Sequence, residues 1–458
     1  MRTVDSPTRL PYETRETHRS VSEAPDFKPA QILEVELTQS LPAISAFDVK
    51  TDRCYQRAVS LVRLHTQPLG VVELRLEENG LSAADYARQI WRALSLEITE
   101  HLRQDELPEV VKLQAAGLPT TGTPKCGQER ERLLADAPFV TVVIATRDRP
   151  ASIATCLRSL LASDYPDYEI IVVDNAPRTS ATADWIRQTY GNLRQVRYVR
   201  EDRPGNSWAR NCGLMEARTE IVAFIDDDVL VDAHWLAELA KDFSISENVA
   251  CVTGMILPVE LETPAQAWIE QYGGFSKGYH RRIFDMAENR PDGPLYPYTA
   301  GMFGSGANMA FKTSVLREMG GFDPALGGGS SAFGGEDLAV FFQVVTRGYQ
   351  LVYEPAAIVH HLHHRDYARL CRQMYGYGVG LTAYLTKCLF DNPKRVFEFA
   401  AKIPHGLYFT LSSQSSKNKK KLADYPQELT NLERKGMLYG PLAYIRSRHR
   451  VHQTRQPG

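Results

Sequence analysis

Ile221-Val222-Ala223-Phe224-Ile225-Asp226-Asp227-Asp228-Val229 is the stretch whose reading decides the fold. Five apolar residues in a row, several β-branched or aromatic, read as a strand buried on both faces. Three consecutive carboxylates then follow. Their mutual repulsion is costly unless a cation or a set of donors neutralises it. Hard oxygen ligands favour Mg²⁺ or Mn²⁺ over zinc, and a diphosphate would complete such a coordination shell.

Working outward, the same texture recurs. Phe139–Ala145 is an apolar run broken only by Thr141, and a helix is expected from about 150 to 163. Tyr168–Asp174, a helix near 179–190, Val196–Arg200 and a helix over about 207–217 complete the pattern. Strands alternating with helices imply a parallel sheet with right-handed crossovers. In such sheets ligands bind beyond the carboxyl ends of the strands. The first strand ends in Thr146-Arg147-Asp148-Arg149-Pro150, the second in Val173-Asp174-Asn175-Ala176, so polar groups share one edge with the triplet. No G-x-x-x-x-G-K-[ST] occurs, and no G-x-G-x-x-G follows the first strand, which counts against kinases, GTPases and nicotinamide enzymes.

Downstream, Gly327 to Gly335 is a Gly-rich loop, and Glu336-Asp337 open an apolar helix running through Val345. Acidic residues there either stabilise the helix N-terminus or do chemistry. Gly304 to Asn308 reads as a wall facing a ligand or as a tight turn. His360-His361-Leu362-His363-His364-Arg365 follows a strand, and period-two alternation puts His361 and His363 on one face. Tyr375-Gly376-Tyr377-Gly378-Val379-Gly380 interrupts an amphipathic helical pattern over Tyr367–Phe390 and marks a kink or a channel turn.

Phe139 to about Asp366 resembles glycosyltransferase family 2, through several motifs in the family's order. Thr-Arg-Asp-Arg-Pro and Val-Val-Asp-Asn look like its nucleoside-binding strand ends. Gly205-Asn206-Ser207-Trp208-Ala209-Arg210-Asn211 looks like its G-x-x-x-A-R-N helix start, Asp226-Asp227-Asp228 like its D-x-D, and Gly334-Gly335-Glu336-Asp337 like the segment carrying its base. The resemblance implies an α/β GT-A fold, Rossmann-like, with a mixed, mostly parallel sheet. It implies inverting transfer from a nucleotide-diphosphate sugar, most often a uridine diphosphate sugar, to a hydroxyl acceptor on a glycan, lipid carrier or small molecule, assisted by Mn²⁺ or Mg²⁺.

Residue by residue, the resemblance assigns Thr146 and Asp174 to the base and ribose, with Arg147 nearby. Arg210 would lie near the nucleotide or fix the sheet edge. Asp226 or Asp227 would meet the ribose, and Asp228 the metal. Asp337 becomes the base, Glu336 a sugar or acceptor contact, and His361 and His363 metal ligands. A non-catalytic sugar-nucleotide-binding protein retaining the fold is the alternative function. Nucleotidyl transfer fits less well, because a Gly-rich basic loop is missing after the first strand.

The rest of the chain sets the context. It has 458 residues, 43% hydrophobic and 24% charged, with no apolar run near the roughly 20 residues of a membrane span. Residues 1–28 read as a disordered tail, 29–114 as a small α+β domain and 115–137 as a linker. Residues 138–366 read as the catalytic domain, and 367–458 as a helical C-terminal region with a basic tail. The seven cysteines are scattered and never form C-x-x-C, so neither a disulfide framework nor a zinc site is expected, and a cytoplasmic setting fits. From Lys394 to Gly458 there are thirteen Lys/Arg against four Asp/Glu. That excess is a solvated tail or an electrostatic contact with the anionic inner face of a membrane. Nucleic acid is not expected, since no recognition motif accompanies the charges.

Overall fold

The computed structural model describes residues 27–119, 122–273 and 277–455, so the tail expected over 1–28 lies, but for its last two residues, outside them. Among the described residues a nine-stranded mixed sheet forms the centre. Its order is Val229–Val231, Gln350–His361, Val249–Pro258, Asn308–Lys312, Ile221–Asp226, Val140–Thr146, Tyr168–Asn175 and Val196–Glu201, with Arg282–Phe284 added against Gln350–His361. The half from Ile221–Asp226 to Val196–Glu201 is parallel. Helices Pro150–Leu160, Ala181–Tyr190 and Asn206–Glu216 make its crossovers.

Burial explains why these runs become strands. Val142, Ile144, Ile170, Val172 and Ile225 pack on one face with Ile153, Leu157 and Trp235. Val143, Ile171, Val173 and Phe224 pack on the other with Phe311, Phe322 and Phe341. Period-two alternation thus feeds two cores rather than a core and a solvent face.

The stretch Gly304 to Asn308 leads into strand Asn308–Lys312, antiparallel to Ile221–Asp226. Asn308 is fully buried and does not face a ligand. Its amide donates to the carbonyls of Met255 and Ala357 and accepts from Trp235 Nε1, which ties its own strand to three other elements.

The C-terminal helices Tyr367–Asp391, Arg395–Leu411 and Gln427–Arg455 follow. Tyr367–Asp391 runs straight through Tyr375 to Gly380, so neither a kink nor a turn lies there. The glycines serve close approach instead. A Cβ on Gly378 would collide with the Glu433 carbonyl, and one on Gly436 with that of Tyr375. One on Gly380 would sit 2.9 Å from the Gly334 carbonyl carbon, so this helix backbone rests directly on the loop carrying Glu336 and Asp337.

Strands Gln31–Glu36, Arg57–Leu64 and Gln67–Arg75 form a small sheet covered by helix Ala83–Gln104. Ser82 caps that helix by accepting from Asp85 N–H. The unit docks on the central sheet through Arg63 to Asp232 at 2.7 Å and His360 to Glu34 at 2.7 Å. Within the stretch read as a linker, Lys125–Ala135 is a helix. None of its residues is buried, so it carries no apolar stripe by which the sequence could announce it. Arg130 ties it to Glu238 at 3.2 Å.

Candidate active site

Register sets the site's geometry. Thr146 pairs with Asp174, and Ala145 with Asp226, so three strand ends finish level. Val229 pairs with His361, which brings the end of a distant strand beside Asp228.

The three carboxylates then divide by environment. Asp227 turns inward, 5% exposed, accepting from the Thr146 hydroxyl at 2.6 Å and from Arg149 at 3.0 Å. Burial pushes its carboxyl up to about 6, against the restraining charge of Arg149 and the Thr146 bond. Asp226 and Asp228 turn toward His361, and one ligating atom from each of the three lies within 4.8 Å of the others. His361 Nε2 stands 3.3 Å from Asp228 Oδ1. Burial raises the Asp228 carboxyl, but the hydrogen bond and charge of His361 and the charge of Arg149 outweigh it, and the net shift is down. For His361 burial favours the neutral ring, and Asp228 reverses that, so its net shift is up. Two carboxylate oxygens and one imidazole nitrogen are a donor set suited to Mn²⁺ or Mg²⁺, with coordination positions left for phosphate oxygens.

His363 does not join this cluster. The strand ends at His361, so alternation no longer governs position 363. Its Nδ1 lies 3.0 Å from His361 Nδ1 and its Nε2 2.7 Å from Glu270, which places it behind His361 as an orienting group. His360 faces Glu34 in the N-terminal unit. Arg365 pairs with Glu260.

Arg210 is 3% exposed and is not open to a ligand. Its guanidinium donates to Asp226 at 3.0 Å, to the Gly306 carbonyl at 2.9 Å and to Glu336 at 3.0 Å. Of the two roles left open for it, the geometry is that of a structural bridge. The whole Gly205–Asn211 motif acts alike. Asn206 N–H donates to the Gly328 carbonyl, Ser207 Oγ to that of Leu326 at 2.9 Å, and Asn211 exchanges two bonds with the Phe322 backbone. The motif is a clamp on the Gly-rich loop. Glu336 is held inside it by Arg210 and Asn206, and burial raises its carboxyl to about 6 despite the Arg210 charge. Gly335, in the left-handed region at φ 86°, lets the chain turn into this helix.

Asp337 points the other way. Its Oδ2 accepts from Gly306 N–H and its Oδ1 from Leu338 N–H, each at 2.8 Å, so the carboxylate plane is fixed while it stays half-buried. Gly306 therefore links it, through Arg210, to Asp226. Asp174 is wholly buried; Oδ2 accepts from Tyr198 OH at 3.1 Å, while Oδ1 has no hydrogen-bond partner. Burial raises its carboxyl above the usual range. Arg147 is exposed, and its charge acts on Asp174 rather than on the triplet.

The resemblance names Arg147 here, and it is Arg149 that reaches both Asp227 and Asp228. Nothing in Thr-Arg-Asp-Arg-Pro separates the two, since the choice rests on the turn at Asp148, whose φ is 52°. Lys277 and Tyr377 also lie within the field of Asp337. Burial lowers the Lys277 ammonium to about 8, with Lys420 acting in the same sense and Glu270 and Asp337 against it.

A mixed α/β sheet with carboxylates and a histidine converging at its strand ends places these side chains where ligands bind in folds of this kind. Residues 141–320 match the model of Glycosyl transferase family 2, and this segment is a domain of that family. The match contains Thr146, Asp174, Arg210 and the triplet, and ends before Asp337 and His361. The chain is 37% identical over 118 residues to uncharacterized protein y4gI of Sinorhizobium fredii, covering 25% of this chain and 13% of that one. It is 27% identical over 225 residues to the pre-mycofactocin glycosyltransferase of Mycobacterium tuberculosis, covering 49% of this chain and 43% of that protein. The chain thus spans less than half the length of either relative. A mannosyltransferase of Pyrobaculum calidifontis, solved with GDP-Man and Mn²⁺, aligns at 18% identity with a TM-score of 0.43, over 72% of this chain and 94% of that one.

Replacing Arg210 with Met leaves Glu336 and Asp226 without their shared cation. Chemical denaturation should show unfolding free energy lowered by about 3 kcal/mol. An unchanged midpoint would mean that the bridge contributes nothing to holding the loop.

Proposed function

We propose that this chain is an inverting glycosyltransferase, moving a sugar from a nucleotide-diphosphate sugar, a uridine diphosphate sugar above all, to a hydroxyl acceptor. The observation that carries this reading is the convergence of Asp226, Asp228 and His361 at one edge while Asp337 is held through Gly306 and Arg210 beside them. Asp228 and His361, with Asp226, would hold Mn²⁺ or Mg²⁺, which supplies charge neutralisation to the departing diphosphate. Arg149 adds a second positive charge on the same side. Asp174 Oδ1, buried and without a hydrogen-bond partner, would have to turn outward to accept from an N–H donor such as the imide of uracil, with Thr146 and Asp227 bordering the ribose.

Asp337 takes the proton of the acceptor hydroxyl as that oxygen attacks the anomeric carbon and the bond to the diphosphate breaks on the opposite face. The two backbone N–H groups on Asp337 fix its direction in advance. Glu336, tied up by Arg210 and Asn206, shapes the loop rather than touching sugar.

Helix Arg395–Leu411 adds a membrane contact to this reading. Phe397, Ile403, Leu407, Tyr408 and Leu411 are all more than half exposed, and the helix buries no residue. Such a surface is unusual beside water. Lys394, Arg395, Lys419 and Lys420 flank it, so its complement is an anionic leaflet. That surface would bring the site to an acceptor carried on a lipid. No described helix is long and apolar enough to cross a membrane.

A panel of nucleotide sugars, incubated with and without Mn²⁺, should reveal metal-dependent transfer or hydrolysis of one donor. Asp337→Asn should lower turnover by about 10²–10⁴-fold with donor binding kept. Normal turnover in that variant would remove Asp337 as base, and binding without any turnover in the native chain would favour a sugar-nucleotide sensor. Separately, the protein should co-sediment with phosphatidylserine vesicles but not with phosphatidylcholine vesicles, and Phe397→Ser with Leu407→Ser should release it. Absence of the native chain from both pellets would sink the membrane contact.

A further inference from the structure

A second cluster of ligating side chains lies far from the catalytic edge, between the N-terminal unit and helix Lys125–Ala135. His65, His101, Asp105 and Cys126 each offer one atom, and all four atoms lie within 4.8 Å of one another. Asp105 Oδ2 is the hub: His65 Nδ1 at 2.7 Å, His101 Nε2 at 3.1 Å and Cys126 Sγ at 3.1 Å. The two imidazole nitrogens are 3.2 Å apart. In a tetrahedral zinc site with arms of about 2.0–2.3 Å, ligand atoms stand roughly 3.3–3.6 Å from one another. Three edges of the cluster, at 3.1, 3.1 and 3.2 Å, come within about half an ångström of that spacing, and the His65–Asp105 edge, at 2.7 Å, would have to lengthen on binding.

The surroundings fit a metal better than a chain of hydrogen bonds. Asp105 Oδ1 is occupied by the Cys126 backbone N–H at 2.9 Å, which leaves Oδ2 as a single directed ligand. Both histidine side chains are 11% exposed and that of Asp105 is 4%, so the donor set is largely withdrawn from water. His65 sits in the two-residue turn between Arg57–Leu64 and Gln67–Arg75, at φ 54°, and Thr66 follows at φ 69°. Such turns favour glycine or asparagine, and a β-branched threonine there is strained. Glu36 steadies the turn by accepting from both backbone N–H groups. The strained turn is what aims His65 Nδ1 at Asp105.

We propose that His65, His101, Asp105 and Cys126 bind one Zn²⁺ that fastens the N-terminal unit to the helix leading into the catalytic domain. Two imidazoles, one carboxylate and one thiolate are a borderline-soft set that selects zinc over Mg²⁺ or Mn²⁺. Binding displaces the Cys126 thiol proton to solvent, and the thiolate becomes the fourth ligand. Because Arg130 on the same helix reaches Glu238 of the catalytic domain, the site sits at the joint between the two units. Sequence spacing could not reveal it: only His101 and Asp105, at the end of helix Ala83–Gln104 and just past it, stand close in sequence, and Cys126 stands alone in a stretch without C-x-x-C.

The test uses the whole 458-residue chain. Elemental analysis of protein purified without chelator should find about one zinc per chain. After exchange with Co²⁺, tetrahedral d–d bands and a thiolate-to-cobalt charge-transfer band should appear. Cys126→Ser should abolish the charge-transfer band, and His101→Gln should lower bound zinc at least about tenfold, both variants retaining native circular dichroism. The charge-transfer band reports this site alone, because Asp226, Asp228 and His361 include no sulfur. A folded native chain that takes up neither zinc nor Co²⁺ with a thiolate band would overturn the proposal. So would a band that survives Cys126→Ser.

Discussion

One buried guanidinium holds the candidate site together. Arg210 joins the end of the central strand at Asp226 to the Gly306 carbonyl and to Glu336, three segments far apart in sequence. A buried charge is tolerable only when paired and fully bonded, and here two carboxylates and a carbonyl meet it. The same contact makes the Gly-rich loop follow the sheet. Asp337 then inherits its position, since its Oδ2 is bonded to the N–H of the very residue whose carbonyl Arg210 holds.

From that constraint the site's electrostatics follow. Asp226 is anchored on one side by Arg210, Asp227 is withdrawn to Thr146 and Arg149, and Asp228 is left facing His361. The three adjacent carboxylates thus meet Arg210, Arg149 and His361 between them, Arg149 reaching both Asp227 and Asp228, which relieves part of their repulsion. The remaining negative field, between Asp226 and Asp228, lies where His361 arrives from the far side of the sheet. Behind it, His363 and Glu270 fix the ring's orientation. Helix Tyr367–Asp391 closes the assembly, its Gly380 backbone against Gly334 and Gly335.

Much of this was legible in the residues. Apolar runs broken by polar strand ends located the parallel half of the sheet, because strands buried on both faces leave no other pattern. The triplet and the Glu336-Asp337 helix start marked both sides of the site. What stayed hidden depends on three-dimensional direction. Arg149 rather than Arg147 reaches the carboxylates because of a left-handed turn at Asp148. His363 lies apart from Asp226, Asp228 and His361 because the strand stops two residues earlier. The helix Lys125–Ala135 rests on the core only through Leu133 and Leu134 near its end and has no fully buried residue, so it imprints no apolar stripe. Glycines in Tyr367–Asp391 read as breaks, yet they let two helices and a loop touch backbone to backbone.

The central claim is that the strand-end carboxylates and His361 bind a nucleoside diphosphate through a divalent cation. Calorimetric titration of uridine diphosphate and guanosine diphosphate into the native chain, in metal-free buffer and again with Mn²⁺, tests it most directly. At least one of them should bind about tenfold or more tightly with Mn²⁺, and Asp228→Ala should erase the difference. Equal affinity with and without the metal, or a metal effect that survives Asp228→Ala, would contradict the claim.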